Sequence, residues 1–158
     1  MRISDQYLWN FLFCLLFLSF VVSGMVVLDS VAARPLGEIT PMEFIIVSLA
    51  TLRLTRLFVY DKITAFFREQ FYDVVESRGR RSLQKPESGP RRTLADLLSC
   101  PWCISMWMGA TVVFFFYLTV YAWFPILALA VAGTGSLLQL AANLVGWKAE
   151  QLKDGVEG

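Results

Sequence analysis

The sequence predicts an all-α, polytopic helical membrane protein of about four transmembrane helices, in a single domain over residues 1–158. Three observations predict it. Residues 97–147 run 51 positions without an Asp, Glu, Lys or Arg, broken only by the Phe124-Pro125 step. Residues 6–28 form a second charge-free run. Hydrophobic side chains make up 56% of the chain and charged ones 17%, where a soluble domain carries about a quarter. A bilayer core is about 30 Å thick and a helix rises about 1.5 Å per residue, so about 20 apolar residues cross it. The longer run is therefore two crossings joined by a tight turn.

The first segment is residues 8–28, preceded by Arg2 and Asp5. A cleaved signal peptide is the rival reading, because Ser30-Val31-Ala32-Ala33 offers small residues near a plausible cut. The apolar run is longer than a usual signal core, and the stretch before it has a single basic side chain, so a retained crossing is expected. The second segment follows Pro41 and covers residues 42–60. Its first eleven residues are largely apolar, about half a bilayer, before Arg53 and Arg56 intervene. It spans if both arginines snorkel to one interface; otherwise it is a half-crossing or interfacial helix. The third and fourth segments are residues 101–123 and 125–147, followed by a tail over 148–158.

Charge predicts the threading. Ten of the fourteen Lys and Arg residues lie between positions 53 and 99, whereas residues 29–43 hold only Arg34. The positive-inside rule puts the 53–99 loop and both termini in the cytoplasm of a cell with this protein in its inner membrane. Tyr7, Trp9, Tyr60, Trp102 and Trp147 then fall near the inner interface, and Tyr121 and Trp123 near the outer.

Within the loop, Ile63, Phe66, Phe67, Phe71, Val74 and Val75 keep the three-and-four spacing of an amphipathic helix over residues 61–76, with Asp61 as N-cap and Gly79 as stop. That helix is expected along the inner leaflet or against the bundle, with docking of a partner protein as the alternative. Residues 77–92 read as a flexible linker. Its Arg78, Arg80, Arg81, Lys85, Arg91 and Arg92 suit anionic lipid, or serve only as a solvated topogenic loop. No aromatic residue is interleaved for base stacking and net charge is only +1, so nucleic acid is not an expected partner.

The one motif that carries chemistry is Cys100-Pro101-Trp102-Cys103. Thr93 with Asp96 reads as a capping box, and Cys100 as the N-cap of the third crossing with Pro101 in the first helical position. A thiol at a helix N-terminus favours its thiolate. Three roles stay open: a structural turn, a thiol redox pair, or half of a zinc site completed by a second chain. The cytoplasmic edge keeps thiols reduced and Cys14 stands apart in the first crossing, which weighs for structure. The sequence has no histidine, which removes Ser-His and Cys-His nucleophile pairs, histidine-ligated haem and most zinc enzymes. No resident metal or cofactor is expected. In the crossings, Ser136, Gln139 and Asn143 share one face, Ala128, Ala132 and Ser136 place small residues every fourth position, and Ser48, Thr51 and Thr55 line another face. Such faces pack helix on helix; a water-filled path would usually add an embedded carboxylate, and the crossings have none.

The run Ser48-Leu49-Ala50-Thr51-Leu52-Arg53-Leu54-Thr55-Arg56-Leu57, then Asp61-Lys62-Ile63, Arg68 and Cys100-Pro101-Trp102-Cys103 entering an apolar helix, resembles the domain of unknown function 1360 family of small bacterial and phage membrane proteins. The resemblance covers roughly residues 44–145 and leaves the first crossing outside. It implies a membrane architecture without a fixed activity, and one cytoplasmic-side cluster of Arg53, Arg56, Asp61, Arg68, Cys100 and Cys103. Three functions follow as expectations. The leading one is a non-enzymatic protein acting through contacts with membrane lipids, a membrane protein partner or copies of itself. The others are a membrane thiol oxidoreductase using Cys100 and Cys103, and a phage-type effector such as a holin-like pore former or superinfection barrier.

Overall fold

The computed structural model describes residues 3–77 and 80–154. Six helices and one small hairpin make up the fold: α1 Ile3–Val31, α2 Pro41–Val59, α3 Ala65–Glu69, β1 Asp73–Ser77, β2 Arg80–Gln84, α4 Pro90–Ser99, α5 Pro101–Leu118 and α6 Trp123–Asp154. The protein is helical and membrane-like. Three helices, α1, α5 and α6, are long and apolar enough to cross a bilayer. α2 has the length, 19 residues or about 28 Å, but carries Glu43, Arg53 and Arg56.

Contacts at the ends of the helices set their directions. The start of α1 meets α4, where Gln6 Nε2 donates to Thr93 Oγ1 at 2.8 Å, and α4 leads straight into α5. Just beyond α1, the Ala33 N–H donates to the Tyr117 carbonyl near the end of α5 at 2.9 Å. Hence α1 and α5 run the same way. α2 and α6 return together: Arg34 pairs with Glu43 at 2.9 Å while its guanidinium lies 5.7 Å from the Trp123 ring, and further along Gly133 meets Leu49. The main core forms where α2, α5 and α6 meet, from Val47, Ala50, Val112, Phe116, Tyr117, Ile126 and Ala130. A smaller cluster of Val59, Leu98 and Ile104 closes the cysteine end.

Local chemistry explains the boundaries. α2 opens on a complete capping box: the Glu43 N–H donates to Thr40 Oγ1, and the Thr40 N–H donates to Glu43 Oε2 at 3.0 Å. α5 opens as expected, with Cys100 at the N-cap and Pro101 in the first turn. The turn between α5 and α6 differs from expectation. It lies at Leu118–Thr119 and a short 3-10 turn, Val120–Ala122, while Phe124 and Pro125 sit in the first turn of α6. A proline there lacks only an N–H that the helix leaves unpaired anyway. α6 then continues to Asp154, past the expected end at Trp147.

The expected 61–76 amphipathic helix is corrected. After a 3-10 turn at Lys62–Thr64, α3 is five residues long and gives way to the β1–β2 hairpin, in which Asp73 pairs with Gln84 and Val75 with Ser82. Arg91 supplies a reason: its Nη2 takes the Gln70 and Tyr72 carbonyls at 3.2 and 3.4 Å and its Nη1 pairs with Asp73 at 3.1 Å, which ends the helix and starts a strand. Asp61 does not cap with its side chain, and Gly79 lies outside the described residues. Within the expected linker over 77–92, Arg80–Gln84 form β2 and residues 90–92 start α4, with irregular chain over 85–89 between them. The expected capping box at Thr93 and Asp96 is also absent, because α4 starts at Pro90 and both residues bind elsewhere. The face of α6 packed in the bundle is Ile126, Ala130 and Gly133; Ala128 and Ala132 point outward.

Candidate functional site

Two places gather the chemistry. The first lies at the C-terminal end of α2. Arg53 Nη2 donates to Asp61 Oδ2 at 2.8 Å, both side chains about a quarter exposed. One turn on, the Arg56 guanidinium stacks 5.3 Å from the Tyr60 ring and has no carboxylate partner among the described residues. Arg68 caps the helix: its Nη1 donates to the carbonyls of Phe58 and Val59 at 2.8 and 2.7 Å, groups that a helix end leaves unpaired. Thr64 Oγ1 adds a bond to the Leu57 carbonyl. Opposite, α6 presents Ser136, Gln139 and Asn143, with Gln139 Nε2 donating to Asn143 Oδ1 at 3.0 Å. Arg53, Arg56, Asp61 and these three residues line one open groove of about 460 Å³.

The second place lies between α1, α4 and α5. The Cys103 N–H donates to Cys100 Sγ at 3.3 Å, the cap expected of that position, and the two sulfurs lie 2.7 Å apart as free thiols. Hydrogen bonds from the Cys103 thiol and then from its backbone N–H hold Cys100 below the ordinary thiol range. Both cysteines line a cavity of about 900 Å³, and Cys14 of α1 lines it too. Its polar rim is Lys85, which reaches Asp96 at 2.7 Å and Ser99 at 2.8 Å. Periodicity could not show that Cys14 lines the same cavity as the pair, because that depends on how α1 leans on α5.

The structure therefore brings Arg53, Arg56 and Asp61 together, seats Arg68 under the same helix end, and puts Cys100 and Cys103 in a separate cavity that shares no lining residue with the groove. Of the basic residues expected to face lipid, Arg91 and Arg92 hold protein partners, Arg92 donating to the Glu87 carbonyl at 2.6 Å. Arg80 and Arg81 belong to β2, and Arg78 lies outside the described residues. Three features escaped sequence reasoning. Gln6 Oε1 accepts the Gly89 N–H while Thr93 Oγ1 donates to Asn10 Oδ1 at 3.1 Å, a polar clasp between α1 and α4. Arg34 lies 4.4 Å over the Phe116 ring while paired to Glu43, locking the opposite end of the bundle. Gly133 sits where a Cβ would come within 2.5 Å of the Leu49 carbonyl oxygen.

A protein family described as "Protein of unknown function (DUF1360)" matches residues 46–142, well over half of the chain. The chain belongs to this family. It is 31% identical over 104 residues to UPF0713 protein YngL of Bacillus subtilis (strain 168), covering 65% of this chain and 80% of that protein. It is 30% identical over 107 residues to Sporulation protein YjcA of the same strain, covering 64% of this chain and 91% of that protein. No solved structure matches the chain significantly. The family match runs from residue 46 in α2 to residue 142 in α6, so the Cys100–Cys103 pair and all the groove residues named except Asn143 fall within it, and α1 falls outside.

Proposed function

We propose that this chain is a four-crossing inner-membrane protein without catalytic activity, with both termini and the 53–99 loop in the cytoplasm, that works through contacts with lipids and other membrane proteins. One observation carries the reading. Every ion pair among the described residues falls at one end or the other of the bundle: Arg34–Glu43 at one, and Arg53–Asp61, Lys85–Asp96, Arg91–Asp73 and Arg92–Asp96 at the other. The separation of these ends matches the length of α2 and α5, about one bilayer core. α2 thus spans in this reading, with its two arginines reaching the headgroup level. Between the ends, Thr51, Thr111, Thr134 and Ser136 donate to carbonyls four residues back in their own helices. Hydroxyls bonded in that way spend their proton inside their own helix and leave no donor for a passing solute, which favours contacts over transport.

Alkaline carbonate extraction followed by affinity purification tests the reading. The protein is expected in the membrane pellet, and the double variant Cys100→Ser, Cys103→Ser is expected to keep the same co-purifying lipids and proteins. Release into the supernatant would remove the membrane role.

Thiol chemistry is the second reading, favoured by one observation: all three cysteines line the same cavity, with one pair of sulfurs 2.7 Å apart. Loss of biological activity in either single serine variant with the fold intact would move the function to the cysteine cavity.

A further inference from the structure

We infer that the groove between the C-terminal half of α2 and α6 binds the phosphate of an anionic phospholipid, with Arg56 as its principal charge. The inference rests on the membrane reading above. The charge balance of the groove comes first. Asp61 neutralises Arg53 at 2.8 Å, and among the described residues Arg56 has no carboxylate partner and stacks on the Tyr60 ring. A planar guanidinium at a membrane edge with no carboxylate is a ready donor for a phosphodiester, which it can meet with two parallel N–H···O bonds.

Depth comes second. Arg56 lies three residues, about 4.5 Å, before the end of α2. Asn143 lies twenty residues beyond Trp123 along α6, about 30 Å or one hydrocarbon thickness. Both therefore sit at the same headgroup level. Hydrogen-bond capacity comes third. The Gln139–Asn143 bond uses one amide hydrogen and one oxygen, leaving the Asn143 Nδ2 hydrogens and Gln139 Oε1 without a protein partner among the described residues. They can serve the phosphate and the polar headgroup beyond it. Finally, on the Trp123 side of Ser136 the groove is lined by the exposed Ala132 and Gly135, and a Cβ at Gly135 would meet nothing within 4 Å. That shallow apolar track leaves room for an acyl chain, which a free phosphate ion would not use.

Native mass spectrometry of the full-length protein in detergent, with equal phosphatidylglycerol and phosphatidylcholine, reads the site. Both lipids offer Arg56 a phosphodiester, but phosphatidylcholine brings a quaternary ammonium beside the arginines and no hydroxyl for Gln139 Oε1, so retention of phosphatidylglycerol over phosphatidylcholine is expected at about tenfold. Arg56→Gln should bring that preference close to unity. Asp61→Asn, which releases Arg53, should raise it, and Lys153→Gln, which removes an equal charge far along α6, should leave it unchanged. Should Arg56→Gln fail to fold, the exposed Asn143→Leu carries the test with a smaller loss. An undiminished preference in folded Arg56→Gln or Asn143→Leu, or displacement of the lipid by inorganic phosphate at equal concentration, would overturn the site. Carbonate extraction of the cell membranes, before detergent is added, tells the two failures apart: a protein still in the pellet without lipid preference loses only the site, and one released loses the membrane reading as well.

Discussion

α6 and α1 are both long apolar helices, yet they hold to the bundle by different means. α6 reaches α2 through backbone approach: Gly133 lies so close to Leu49 that a methyl group would collide with its carbonyl oxygen, and Ile126 and Ala130 are buried beside it. Among the described residues of α1 only Leu28 is buried; the helix touches α5 with the edge of Phe17 and the face of Phe20 against Trp107, and is tied by the polar clasp at its start. In a bilayer apolar surface gains little by leaving lipid for another helix, so close van der Waals approach and hydrogen bonds decide association. The lesson is that α2, α5 and α6 form a packed unit, which is also the part matched by the family, and α1 is a clasped addition.

The largest effect should come from breaking the packed unit. Gly133→Leu must push α2 and α6 apart and is expected to cost about 1–3 kcal/mol, seen as a lower thermal midpoint in detergent. Gly146→Leu, where a Cβ meets nothing, should change stability little. Next comes the clasp. Thr93→Val removes a donor to Asn10 and an acceptor for Gln6, a loss of about 1–2 kcal/mol, and should show as faster proteolysis at the N-terminal end of α1 with the remainder resistant. If Thr93→Val melted the whole protein as Gly133→Leu does, the contrast between the two helices would fail.

Smaller effects sharpen the picture at the helix ends. Arg68→Gln leaves the Phe58 and Val59 carbonyls without their cap and is expected to cost about 1 kcal/mol, with faster amide exchange confined to the last turn of α2. Cys100→Ser should be nearly neutral because serine is a good N-cap, whereas Cys100→Ala should cost about 1 kcal/mol. The Cys100 thiol is held below the ordinary range by the hydrogen bonds from Cys103, so its thiolate persists to lower pH than that of an ordinary thiol. Maleimide labelling at neutral pH should therefore be faster at Cys100 than in a Cys100→Ser variant that retains Cys14 and Cys103. Equal rates in the two proteins would contradict the assigned environment.

Much of the fold was legible because charge-free length is a direct physical requirement of the bilayer. It located α1, α5 and α6, and the preferences of cysteine and proline located the start of α5 at Cys100. The hairpin was not legible. Ile63, Phe66, Phe67 and Phe71 keep helical spacing, and only Arg91, distant in sequence, withdraws the Gln70 and Tyr72 carbonyls from a helix. Phe67 then turns to Phe58 and Phe71, while Ile63 and Phe66 stay exposed. At the candidate site, the arginine patch and the polar face of α6 were each visible as patterns, but their meeting in one groove was not, because it depends on α6 running parallel to α2 at the distance Gly133 permits. The separation of the cysteines from the arginines has the same cause: they lie on different sides of the bundle.

The central claim is that α2 crosses the membrane beside α5 and α6 with its arginines at the cytoplasmic edge. Reporter fusions placed after Leu36 and after Gln84, on either side of α2, test it most directly. The account predicts an external signal at Leu36 and a cytoplasmic one at Gln84. Signals from the same side at both positions would contradict it, because α2 would then enter and leave by one face and the groove would not lie where a crossing helix ends.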